Sequence, residues 1–172
     1  VRRSSALLIA VLAGGCSVTD GGPPRPVPAG TATVVHPVDG DTIVVDIGGR
    51  EERVRLIGID TPESVAPDRP IECFGPESKA RTAELLPAGT VVRLERDVEA
   101  RDKYDRLLAY VIRDTDGVLI NLLLVQEGYA EAISYPPNLA HQDELDRAET
   151  LARSEHKGLW PACGGTDTPL GQ

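Results

Sequence analysis

The stretch VDGDTIVVDIGGREERVRLIGIDTPE, residues 38–63, decides the fold and gathers most of the reactive side chains. It places Asp39, Asp41, Asp60, Glu63 and Arg55 at the ends of strand-like runs. Together with the residues just before it, it reads as three β runs, over 32–38, 42–47 and 51–59. Asp39-Gly40 turns the chain between the first two, and Gly48-Gly49 is a hairpin signal between the second and third. The result is a meander. In the third run, alternation sends Arg55, Ile57 and Ile59 to one face and Val54, Leu56 and Asp60 to the other. Arg55 and Asp60 can meet only if the strand bulges or ends near Gly58, so an irregularity is expected there.

Downstream, Gly75-Pro76-Glu77 opens a helix with proline in its first turn, and Pro87-Ala88-Gly89 closes it. Two further strands, over 91–96 and 106–113, flank the charged segment 97–105. The second is apolar on both faces after Arg106, as expected for a central strand. Asn121 is placed to cap a short helix whose Leu122, Leu123, Leu124 and Val125 leave no polar side and which ends at Gly128. That helix should be buried. A last helix, over about 139–156, carries Leu145, Ala148 and Leu151 or Ala152 on one stripe, with Asp143/Arg147 and Glu149/Arg153 as i,i+4 pairs.

Upstream, Arg2-Arg3, the apolar run 6–13 and Gly14-Gly15-Cys16 resemble an export signal over 1–15. The run is too short to span a bilayer. A cysteine at that point makes Cys16 the expected lipidation site and membrane anchor, with soluble secretion as the alternative. Residues 16–30 are rich in Pro and Gly and read as a tether. The folded domain is expected over 31–163, followed by a disordered tail over 164–172.

Of the three cysteines, Cys16 is taken by the signal, which leaves Cys73 and Cys163 as an even pair in an oxidising compartment. Their disulfide would close a loop of about 90 residues, worth on the order of 4 kcal/mol in the chain-entropy account; two unrelated thiols are the alternative. No Cys/His spacing suggests zinc, and His36, His141 and His156 share no ligand or nucleophile spacing. A formal charge of -9 argues against coating duplex DNA by bulk electrostatics. Nucleic-acid contact would have to be local and assisted by a metal.

Each reactive group also has a plain structural reading. Asp39 and Asp41 suit a turn, Thr61-Pro62-Glu63 suits a helix start, and Asp102-Lys103-Tyr104-Asp105 suits a solvated hairpin loop. Their chemical reading is oxygen ligands for a hard divalent cation, a guanidinium fork for phosphate, and a Tyr104 ring facing a base. Tyr135 is a second candidate platform.

The motifs VDGDT, RLIGIDTPE, FGPE, DKYDRLLAYV and GLW, in this order over about 31–163, resemble the thermonuclease family, the staphylococcal-nuclease-like domain. The resemblance implies an α+β architecture, an OB-fold five-stranded β-barrel with about three helices. It implies a monomer that cuts DNA and RNA phosphodiesters with one Ca²⁺. By motif position, Asp41 and Asp60 would bind calcium through carboxylates and Thr61 through its carbonyl, with Asp39 behind them. Glu63 would be the general base or orient the water, and Arg55 and Arg106 would grip the scissile phosphate. Lys103 and Tyr104 would contact the neighbouring nucleotide. Two positions depart from the family pattern: Asp105 replaces a glycine, which adds a carboxylate near the phosphate grip, and Ile133 replaces a stacking tyrosine, which leaves Tyr135 as the aromatic there. The expectation is an exported calcium-dependent nuclease; the alternative is a catalytically silent OB module that binds nucleic acid or protein.

Overall fold

Alternating burial along β1 (Thr31–Pro37) sends Ala32 and Val34 inward, and β2 (Thr42–Asp46) and β3 (Glu51–Leu56) follow as antiparallel neighbours. These elements belong to a computed structural model that describes residues 30–64 and 70–170. The export signal over 1–15, the Cys16 lipidation site and the tether up to residue 29 lie outside the described residues.

Strands β5 (Val91–Glu95) and β6 (Leu107–Arg113) complete a closed barrel in the order β1-β2-β3-β6-β5. Closure comes from β1, which pairs with β2 on one side and β5 on the other, and from the parallel pairing of β3 with β6. The interior is filled by Val34, Ile43, Val45, Val54, Leu56, Val92, Ala109 and Val111. Each such Val, Leu or Ile contributes roughly 1.5–3 kcal/mol by leaving water. The first five residues of β6 are buried, as its apolar run demands.

The expected irregularity is present. β3 stops at Leu56, Gly58 turns the chain with φ +77°, and Ile59–Asp60 resumes as β4 in a separate two-stranded sheet with β7 (Glu131–Ala132). A positive φ at this corner is available to glycine without the penalty a side chain incurs. The register Thr42↔Arg55 across β2 and β3 then sets Arg55 beside Asp41, and Val54↔Leu107 across β3 and β6 brings the start of β6 to the same end of the barrel.

Helix α1 (Gly75–Leu85) buries Ser78, Thr82 and Leu85, and Thr82 Oγ1 donates to Gly40 O at 2.6 Å, which pins the Asp39–Asp41 turn. Helix α3 (Gln142–Ser154) buries Leu145, Ala148 and Ala152, while Leu151 is exposed. Its Glu149/Arg153 pair forms at 2.7 Å; no Asp143–Arg147 ion pair is seen among the described residues. A short fourth helix, α4 (Leu159–Cys163), joins the three expected.

Two expectations need correction. Asn121 does not cap α2 (Ile120–Gln126); Leu119 holds that position, and Asn121 lies fully buried in the first turn. Its Oδ1 accepts from Val111 N at 2.9 Å and its Nδ2 donates to Ile57 O at 2.9 Å, so it ties α2 to β6 and to the β3–β4 corner. A side chain inside the barrel wall serves backbone groups that the corner leaves unpaired, a demand stronger than capping. The tail over 164–172 is also not disordered as far as Leu170. Thr166 N donates to Glu131 Oε1 at 2.6 Å, Cys73 N to Thr168 O at 2.7 Å and Leu170 N to Ile71 O at 2.9 Å. The Cys73–Cys163 disulfide, with Cα atoms 5.9 Å apart, fastens this segment to the loop before α1.

Candidate active site

The turn after β1, the β3–β4 corner, the segment leading to α1 and the start of β6 converge on a polar cleft of about 220 Å³. Asp39, Asp41, Arg55, Asp60, Thr61, Glu63 and Arg106 all line it, although they come from positions as far apart as 39 and 106. Glu72 and Asp167 line it as well.

Asp41 is the most enclosed of these acids. Its Oδ2 accepts from Thr61 N and Thr61 Oγ1, both at 3.2 Å, and its Oδ1 accepts from Thr42 Oγ1 at 3.0 Å. Arg55 spans the corner: Nη2 lies 3.1 Å from Asp41 Oδ2 and 3.0 Å from Asp60 Oδ1, while Nη1 donates to Leu56 O and Ile59 O. The guanidinium is thus held at both ends and is only 14% exposed. Its planar fork makes this many directed bonds possible.

Arg106 reaches the cleft from just before β6. Its Nε donates to Asp102 Oδ2 at 2.6 Å and its Nη1 lies 3.5 Å from Thr42 Oγ1. Burial alone would raise the proton affinity of Asp102, but the hydrogen bonds from Arg106 and Tyr104 outweigh it and hold the carboxyl below its usual range. The Glu63 backbone is fixed from below: Glu63 N donates to Glu72 Oε2 at 2.8 Å, and Glu63 O accepts from Glu72 N at 2.9 Å.

Negative charge dominates the cleft. Asp39 is pushed up to about 7 by burial, then by Asp41 and Glu63, against hydrogen bonds from its own turn. Asp60 is pushed up to about 6, first by burial and then by Asp41, with Arg55 opposing and Asp167 and Glu72 adding to the rise. Partly enclosed carboxyls whose proton affinity is raised by burial and by neighbouring carboxylates are short of a compensating cation. Hard oxygens of the Asp41 and Asp60 carboxylates and of the Thr61 carbonyl are of the kind that could hold a hard divalent cation. No group of three or more His, Cys, Asp or Glu able to hold a metal is found among the described residues, so the two carboxylates do not form an all-acid cage.

A second, more open cleft of about 680 Å³ adjoins the first and shares Arg106 with it. Lys103, Tyr104 and Tyr135 line it with Glu99, Arg101 and Asp102. Tyr104 is 68% exposed, with Lys103 Nζ 4.9 Å and Arg106 Cζ 5.5 Å from its ring centroid. An exposed ring flanked by two cations is suited to a nucleobase next to a phosphate.

The Asp105 carboxylate is turned to Arg101, which lines the second cleft with Arg106. It is 89% exposed and lies 3.4 Å from Arg101, and the residue takes φ +64°, which accounts for glycine as the alternative there. Three participants escape a reading of the sequence: Asp102, Glu72 and Asp167. For Asp102 a signal existed, since an Asp four residues before an Arg in a hairpin loop can fold back onto it. Glu72 and Asp167 give none, because their place depends on contacts made across the chain.

Residues 53–162 match the family described as staphylococcal nuclease homologue. A thermonuclease of Staphylococcus hyicus is 38% identical over 130 residues, covering 76% of this chain and 75% of that protein. A thermonuclease of Staphylococcus intermedius is 42% identical over 123 residues, covering 72% and 71%. Endonuclease YncB of Bacillus subtilis is 37% identical over 134 residues, covering 77% of this chain and 62% of that protein. Matches of this length place the chain in the staphylococcal nuclease family.

Proposed function

We propose that this protein is an exported, calcium-dependent nuclease that hydrolyses phosphodiester bonds of DNA, with RNA as a second substrate class. The observation that carries the reading is the shared cleft: Asp41, Asp60 and Thr61 stand with Glu63 and two arginines around one polar space. The relatives are named thermonucleases and endonucleases, which supports the same chemistry.

Asp41, Asp60 and the Thr61 carbonyl would hold the calcium ion, which when bound supplies Lewis-acid charge stabilisation at a phosphate oxygen. Asp39 would stand behind them, and its carboxyl interacts with that of Asp41. Arg55 and Arg106 bind the scissile phosphate and stabilise the extra negative charge as the attacking water oxygen bonds to phosphorus and the P–O bond to the leaving nucleotide breaks, its oxygen taking a proton from solvent. Glu63 orients the attacking water and takes its proton. Lys103 and Tyr104 hold the neighbouring nucleotide, and Tyr135 offers a further ring in the same groove.

Export is supported by the signal-like residues 1–16 and by the Cys73–Cys163 disulfide, which suits an oxidising compartment. Cys16 is the proposed lipid anchor, and the nuclease acts as a monomer. No described helix is long and apolar enough to cross a membrane.

The test is cleavage of DNA and RNA by the purified chain with calcium and with chelator. Calcium-dependent cleavage that is lost in Glu63→Gln and Arg106→Ala, with the fold retained, is expected. Nucleic-acid binding without cleavage in calcium would instead mark a silent OB module.

A further inference from the structure

We infer that the segment after the disulfide is a wall of the cation cleft, and that Asp167 strengthens cation binding there; this rests on the calcium reading above. Asp167 lines the same cleft as Asp41 and Asp60, and its charge acts on Asp60. It is held there by its neighbours on both sides. Thr166 N donates to Glu131 Oε1, and Glu131 is the direct partner of Asp60 across the β4–β7 pair. Thr168 O accepts from Cys73 N, Thr168 Oγ1 donates to Cys163 O at 3.3 Å, and Leu170 N closes onto Ile71 O. Glu72, between the two residues of the 71–73 edge that receive this segment, faces the cleft as well.

The Cys73–Cys163 disulfide therefore does more than close a loop. It joins the edge that carries Glu72 to the segment that carries Asp167, so two acidic walls of the cleft share one covalent fastener. An added carboxylate raises the affinity of a divalent ion through its field, and the gain depends on the segment staying in place.

Calorimetric titration of the full chain with calcium chloride alone, without nucleic acid, tests this directly. Asp167→Asn should weaken calcium binding about three- to tenfold, the range for one partly screened charge on a divalent ion. Asp143→Asn, which removes the same charge from exposed α3, should stay within about twofold. The Cys73→Ser/Cys163→Ser pair should weaken binding to a similar extent, and adding Asp167→Asn to it should cost little more, because both changes remove the same contribution. Unchanged affinity in folded Asp167→Asn overturns the inference and leaves the nuclease reading intact. Fully additive losses overturn the role given to the disulfide. A wild-type chain that binds no calcium overturns the calcium reading and this inference together.

Discussion

Asp102 grips Arg106 by both its side chain and its backbone: Oδ2 accepts Nε at 2.6 Å and Oδ1 accepts the Arg106 N–H at 3.0 Å. The same Oδ1 accepts Tyr104 N at 2.9 Å, and the Asp102 side chain is only 3% exposed. One carboxylate thus sets both Arg106 and the backbone of Tyr104. Asp102→Ala should lower kcat/KM about 10- to 100-fold, as loss of an orienting partner does, with calcium affinity within about twofold. Steady-state cleavage kinetics beside a calcium titration check this; a wild-type kcat/KM would show that Arg106 holds its place without Asp102.

Arg55 is pinned by two carboxylates and two carbonyls, and a lysine cannot reproduce that set from one ammonium point charge. Arg55→Lys should therefore lose about 10²- to 10³-fold in kcat, the scale of a lost charge-stabilising donor. It should also lower the melting temperature of chelated protein, since Asp41 and Asp60 then face each other less compensated. Activity within about tenfold of wild type would show that charge alone suffices at this position.

The strands could be read from the sequence because their signals are local, whereas the closed barrel was implied by the family resemblance, since β1–β5 and β3–β6 pair across the chain. Alternation, the Gly48-Gly49 hairpin and the apolar run of β6 each act within a few residues. The break at Gly58 was also legible, because Arg55 and Asp60 could not share a face without it. Asn121 misled because a capping residue and a buried bridging residue look alike until the strands it serves are assembled. The tail misled for a related reason: its polar, Gly-rich composition suits a free end, and only the disulfide and the 71–73 edge give it a place. Glu72 and Asp167 join the cleft through those same long-range contacts, so nothing in their own neighbourhoods announces them.

The two raised carboxyls set the pH dependence of the metal-free fold. Both Asp39, at about 7, and Asp60, at about 6, lie above their ordinary value of 3.8, so the folded state binds their protons more tightly than the unfolded one. Their contribution to stability is full below that ordinary value and is lost as pH rises through about 6 and then about 7. Chelated protein should therefore melt at a higher temperature near about pH 5 than near about pH 8, provided the opposing Asp102 contribution, which is lost only below pH values under its ordinary range, remains intact. Calcium should reverse the order, since protons compete with it for Asp60. Melting curves with and without chelator decide the matter; a chelated protein more stable at about pH 8 would contradict the assignment.

Asp105 sits at φ +64° with its carboxylate turned to Arg101. Asp105→Gly relieves that backbone at the cost of a freer unfolded chain, so its melting temperature should change little, whereas Asp105→Ala should lose about 1 kcal/mol. Nucleic-acid affinity should stay within a few-fold in both, because the side chain is among the lining residues of neither cleft. A tenfold gain in affinity on Asp105→Gly would mean that the carboxylate does repel substrate.

Gly75 opens α1 directly against the Glu63 backbone, where an added Cβ would lie 2.4 Å from Glu63 O and 2.8 Å from Glu63 C. Neither atom belongs to a flexible side chain, so the segment carrying Glu63 must move or the start of α1 must. Asp41 lies in the turn before β2 and Asp60 is held by β4–β7 pairing and by Arg55, so their carboxylates keep contacts of their own. Gly75→Ala should therefore separate two properties that most cleft variants change together. The kcat for cleavage should fall by about 10²-fold, the cost of a displacement near 1 Å at a reacting group. Calcium affinity measured without substrate should fall far less. Parallel kinetics and calorimetry on the folded variant measure both, and a wild-type kcat would show that Glu63 does not need its present position to act.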